Sequence, residues 1–76
     1  MKEEHINAYK NLGISVIYFR RKRELTQQQL ADLMDVNYET LSRIENARAG
    51  VSLDMLLKLS KGLDISLSEL FAHANL

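Results

Sequence analysis

Projected as a helix, residues 37–46 gather their hydrogen-bonding groups on one side: Glu39, Ser42, Arg43 and Asn46, with Tyr38 on the flank. Leu41 and Ile44 fall on the opposite side, at the spacing of a buried stripe. A carboxylate accepts hydrogen bonds, a guanidinium donates through a rigid fork, and hydroxyl and amide groups do both. That inventory suits recognition of a polar surface rather than bond-making. Ser42 has no candidate base on its own helix. His5 and His73 stand near opposite termini, with no carboxylate set at ligand spacing around either, so both are expected at the surface. The chain has no cysteine and no glycine-rich phosphate loop, which excludes disulfides and thiolate metal sites. No metal and no cofactor are expected, and an enzyme is not the expected reading.

Two short helices over about Gln27 to Asn46 must position that face. Thr26 with Gln29 makes a T-x-x-Q capping box for the first, and Leu25 with Leu30 a hydrophobic staple. Asn37 caps the second, with Val36 and Leu41 as its staple, so only Met34, Asp35 and Val36 remain between the first helix and the second cap. Helices joined this tightly cross steeply, as in a helix-turn-helix. Leu30, Ala31 and Met34 are expected to face inward from the first, and a side chain larger than Ala31 would push the pair apart.

Around this pair the chain reads as three more helices and no strands. Residues 1–5 (MKEEH) are polar and expected to fray. A long helix follows from about Asn7 to Arg23, with Tyr9, Leu12, Val16 and Phe19 inward and Ile14 and Tyr18 paired on the opposite side. Gly13 within it costs about 1 kcal/mol of helix propensity relative to alanine. After a loop at Ala47–Val51, Ser52 caps a helix whose Leu53, Leu56, Leu57, Leu59 and Leu63 predict burial on several sides. Ser66 and Glu69 open a last helix as S-x-x-E, stapled by Ile65 and Leu70. The fold class is all-α, a compact five-helix bundle in a single domain spanning residues 1–76.

Gln27–Gln28, Leu30–Ala31, Val36 and the SRIEN of Ser42–Asn46 together resemble the helix-turn-helix of the lambda repressor and Cro family of DNA-binding domains. The likeness extends over roughly residues 12 to 71. It implies that the second helix of the pair enters the major groove, with Tyr38, Glu39, Thr40, Ser42 and Arg43 at base-contacting positions. Arginine can hold guanine O6 and N7 bidentately, and glutamate can accept from cytosine N4. Glu39 and Arg43 are also spaced for an ordinary i, i+4 ion pair of about 0.3–0.5 kcal/mol. Gln27, Asn37, Asn46 and Arg48 are the backbone-contact candidates. Gln27 and Asn37 stand at helix N-termini, which favour phosphate, and the resemblance brings the loop of Arg48 to the backbone. It also implies that Arg20 and Glu45 form a structural ion pair, leaving Arg21, Lys22 and Arg23 to solvent or phosphates. Asp35 stands where the family usually has glycine and is expected to turn left-handed at a cost. Ala47 also replaces a glycine, and Gly50 is expected to take over that turn.

Ten basic and ten acidic residues leave a formal net charge of zero, so a basic face on a neutral chain predicts weak non-specific affinity for nucleic acid. The N-terminus lacks a signal-peptide core and no apolar run approaches the roughly 20 residues of a membrane span, so a cytoplasmic protein without a membrane partner is expected. The resulting expectation is a sequence-specific regulator of transcription, a repressor or restriction–modification-type controller. It would bind double-stranded DNA as a homodimer on a palindromic operator, since one copy reads only a half-site. The dimer surface is expected on the last helix and tail, at Leu67, Phe71 and Leu76, with Ile14 and Tyr18 as the alternative. The rival expectation is an antitoxin-type protein that neutralises a toxin and autoregulates its operon.

Overall fold

The computed structural model describes residues 2–76, and Met1 lies outside the described residues. A 3-10 turn at Glu3–His5 leads into five helices: α1 (Ile6–Lys22), α2 (Gln27–Met34), α3 (Tyr38–Glu45), α4 (Leu53–Leu63) and α5 (Leu67–His73). Lys2 is extended, and the His5 N–H closes the 3-10 turn on the Lys2 carbonyl at 3.0 Å. No strand occurs among the described residues.

The helices begin where side chains can take up their free N–H groups. Thr26 and Gln29 complete the capping box in both directions. Asn37, Ser52 and Ser66 each accept from the N–H three residues on. The helix ends are more unusual. Glu24, Asp35, Ala47, Asp64 and Asn75 all have positive φ, between 56° and 60°, and no glycine does. Each of these five residues is followed by one whose N–H reaches back to a carbonyl in the last turn: Leu25 to Arg20, Val36 to Ala31, Arg48 to Arg43, Ile65 to Ser60 and Leu76 to Phe71. Gly50 thus does not make the turn after α3. Ala47 makes it, because the N–H groups of Ala47 and Arg48 satisfy the Ile44 and Arg43 carbonyls only from that conformation. Met34 is likewise the last residue of α2 rather than the first of the connection, which is the left-handed Asp35, the apolar Val36 and the cap Asn37.

Leu12, Val16, Phe19, Leu30, Ala31, Met34, Leu41, Ile44, Leu59, Leu63 and Leu70 form the core. α3 packs on both α1 and α2, α4 closes over α2, and α5 fills the space between α1 and α4. Two glycines allow the close approaches. A Cβ on Gly13 would lie 2.5 Å from the Glu45 carbonyl oxygen and 2.8 Å from that of Ile44, so the backbone of α1 rests directly on the end of α3. A Cβ on Gly62 would meet Leu30 Cδ1 at 2.9 Å, where α4 crosses α2.

α4 departs from the expected burial. Leu59 and Leu63 are enclosed and Leu56 is half-buried, but Leu53 is 66% and Leu57 53% exposed. The core takes only the stripe of α4 that contains Gly62, and Leu53 and Leu57 lie around the helix from it. Conversely, Leu67 and Phe71 of α5 are half-buried against the core, so they are not the free surplus their number suggested.

Candidate nucleic-acid interface

α3 buries Leu41 and Ile44 and turns its polar side outward. Tyr38, Glu39, Ser42, Arg43 and Asn46 line one shallow surface cavity there, together with Arg48 from the following loop. Among the described residues, neither Glu39 nor Arg43 has an ion-pair partner within 4.0 Å, so their i, i+4 pair is not formed. Both side chains are exposed. Asn46 is held: its Nδ2 donates to the Ser42 carbonyl at 2.9 Å and lies 3.3 Å from Ser42 Oγ. Thr40 is half-buried and commits its hydroxyl proton to Asn37 Oδ1 at 2.7 Å, the same oxygen that accepts the Thr40 N–H at 2.8 Å. The Asn37 amide nitrogen is left at the exposed start of the helix.

Behind this face, one carboxylate joins three helices. Glu45 Oε2 accepts from Arg20 Nε at 2.8 Å, and Oε1 accepts from Arg20 Nη2 at 3.3 Å and from Gln27 Nε2 at 2.8 Å. Arg20 is 9% exposed and Glu45 5%. Arg20 Nη1 also donates to the Leu25 carbonyl at 2.8 Å, fixing the turn between α1 and α2. A buried carboxylate needs its lone pairs filled by donors, and here two side chains fill them. Gln27 is the member that sequence reasoning placed differently, as a backbone contact; nothing in its spacing from Glu45 signals the link. Its N–H, at the start of α2, still lies outside the helix's own hydrogen-bond ladder.

The basic run at the end of α1 divides. Arg20 faces inward, and Arg23, itself exposed, donates to the Gly62 carbonyl. Arg21 and Lys22 remain exposed. His5 is exposed beside Glu4 at 3.5 Å. His73, also exposed, sits 2.7 Å from Ser15 Oγ and stacks on Tyr18 with ring centroids 4.3 Å apart.

α3 is a polar-faced helix joined to α2 by a three-residue turn and held by a buried carboxylate, and the helix-turn-helix family profile matches residues 16–70. The chain belongs to the Cro/CI-type helix-turn-helix family of DNA-binding transcription regulators. Within that family, the chain is 43% identical over 53 residues to the control protein C.MunI of a Mycoplasma species, covering 70% of this chain and 72% of that protein. It is 34% identical over 64 residues to the competence pilus inhibition repressor of Acinetobacter baylyi, covering 84% of this chain and 58% of the repressor's length. The crystal structure of the restriction–modification controller protein C.AhdI from Aeromonas hydrophila superposes with a TM-score of 0.81 at 32% identity, over 83% of this chain and 96% of that one. No helix among the described residues is long and apolar enough to cross a membrane.

Proposed function

We propose that this helix-turn-helix protein is a sequence-specific transcription regulator of the repressor or restriction–modification controller type, binding a palindromic operator in double-stranded DNA as a homodimer in the cytoplasm. Binding without catalysis is the whole of this reading, and it calls for no cofactor. The observation that carries it is the outward face of α3, where Arg43 and Glu39 are exposed and without ion-pair partners beside Tyr38 and Ser42. In this reading Arg43 takes a guanine edge, Glu39 a cytosine amino group, and Tyr38, Thr40 and Ser42 complete the contacts, Thr40 through its methyl group. Gln27 and Asn37 meet phosphates through free groups at the starts of α2 and α3, and Asn46 and Arg48 from the end of α3. The relatives named as controllers and as a repressor support the same assignment.

Dimerisation draws its support from α4. Leu53 and Leu57 stand one turn apart and exposed, and the same helix contributes Leu56 to an apolar groove shared with Tyr9, Val51, Phe71 and Leu76. A second copy seated there would remove from water apolar surface that one copy leaves open. The deciding experiment is selection of bound duplexes from a random pool. The expected product is a symmetric consensus with two half-sites; recovery of no consensus refutes the reading.

A further inference from the structure

α1 carries an exposed face separate from the outward side of α3. Ile14 is 61% and Tyr18 45% exposed, and with half-buried Ile17 they line a shallow apolar depression whose remaining walls are Arg21 and Lys22. Lys10 stands one turn before Ile14, also exposed. From Ile6 to Lys22 the helix contains no acidic residue, and its one buried cation, Arg20, is already neutralised by Glu45. Within α1 the apolar centre is thus bordered by basic side chains alone, and on its far side Lys22 also borders a cavity lined by Asp64 and Glu69.

The centre is also pre-ordered. Tyr18 stacks on the His73 ring at 4.3 Å and 19°, and Ser15 Oγ hydrogen-bonds the Nδ1 of that ring at 2.7 Å. Lys22 Nζ lies 5.9 Å from the centroid of the Tyr18 ring. An exposed tyrosine fixed by its own neighbours loses little freedom when a partner covers it, and such side chains anchor interfaces.

We propose that this face of α1 docks an acidic, amphipathic helical segment of a partner protein. Apolar side chains of that segment would enter the depression at i, i+3, i+4 spacing, and its carboxylates would meet Arg21, Lys22 and Lys10. Phosphates would satisfy the cations but leave Ile14 and Ile17 exposed. A second copy packed through the same face would set like charges against each other. The proposal is independent of the DNA reading, because α3 meets α1 around Gly13, away from this face.

The test uses the whole chain and two synthetic helical peptides with leucines at i, i+3, i+4 and i+7. One has glutamate at the remaining positions and the other lysine. Titration followed by NMR should give saturable shifts centred on Ile14, Ile17 and Tyr18 with the glutamate peptide only. Ile14→Asp and Arg21→Glu should each weaken that binding about tenfold or more, equivalent to ~1.4 kcal/mol. Both variants should melt with wild type, and Ile14→Asp should bind the selected duplex unchanged, which separates this proposal from the DNA reading. Equal binding of both peptides, shifts centred on Leu53 and Leu57, or an Ile14→Asp variant that binds as wild type overturns it. Self-association lost in Ile14→Asp, or binding to phosphatidylglycerol vesicles in place of the peptide, overturns it in favour of a second copy or a lipid surface.

Discussion

Arg43 and Arg48 border the same cavity, yet they belong to different parts of the chain, and that predicts different consequences of losing them. Arg43 projects from a helix, where its fork can align with a base edge; Arg48 follows the left-handed Ala47 in a loop. Arg43→Ala should lose about 1–3 kcal/mol and flatten the preference at one symmetric pair of operator positions. Arg48→Ala should weaken all duplexes alike and lower the salt slope by about 1 per monomer. A panel of operator variants measured at several salt concentrations distinguishes them; an unchanged ranking in Arg43→Ala would move the reading function to Tyr38 and Glu39. Glu45 supports a prediction of the other kind. Replacing it with glutamine removes the charge that Arg20 faces and turns an amide donor toward Arg20 or Gln27. Breaking a buried pair costs about 3–5 kcal/mol, and glutamine keeps one acceptor, so the low end of that range is expected. In a domain of this size that is a fall in Tm of more than about 10 °C, read by thermal denaturation. Equal stability would assign the pair a role other than holding the helices.

Connections and crossings decide the next scale. Between α1 and α2, α2 and α3, and α4 and α5, the chain uses one solution: a left-handed residue, an apolar residue, then an N-cap. Leu25, Val36 and Ile65 each close the preceding helix with their N–H and pack on the core. The first residue of each unit is never glycine, and a left-handed L-residue carries about 1–2 kcal/mol of strain. Glu24 has no side-chain partner among the described residues, so Glu24→Gly should stabilise the protein by up to about 1 kcal/mol in denaturant titration. Gly13→Ala predicts the reverse of what helix propensity alone would give. Alanine gains about 1 kcal/mol as a helix former. Its Cβ, however, would meet two backbone carbonyls of α3 that no rotamer change can move. Overpacking costs of about 1–3 kcal/mol should prevail, with a lower Tm and weaker duplex binding as α3 is displaced.

For the whole molecule, the proposed homodimer raises the question of how two copies would be arranged. Exposed Leu53 and Leu57 extend the proposed dimer surface onto α4 from the groove that Phe71 and the exposed Leu76 line, while Leu67 packs against the core. Sedimentation should show a dimer at micromolar concentration and a monomer for Leu57→Asp, with little change in stability because the side chain is exposed. A wild-type monomer would remove the idea, and a Leu57→Asp dimer would relocate the interface.

Helix positions, caps and the outward set on α3 were legible in the sequence because each rests on short-range periodicity. Thr26, Asn37, Ser52 and Ser66 bond within three residues of themselves. Leu41 and Ile44 specify the inner side of α3 by spacing alone. What lay beyond reach were facts set by how far apart two helices end up. Whether Leu53 and Leu57 find a neighbour depends on the angle at which α4 crosses α2, which Gly62 permits and no periodicity records. The same holds for Gln27, which joins the Arg20–Glu45 pair only because the starts of α2 and the end of α3 converge across 18 residues of chain. In the sequence Gly13 is only a propensity penalty, whereas in the fold the α3 carbonyls lie against it. Local hydrogen bonding chooses the elements, whereas the distances between their backbones choose which side chains are left to act.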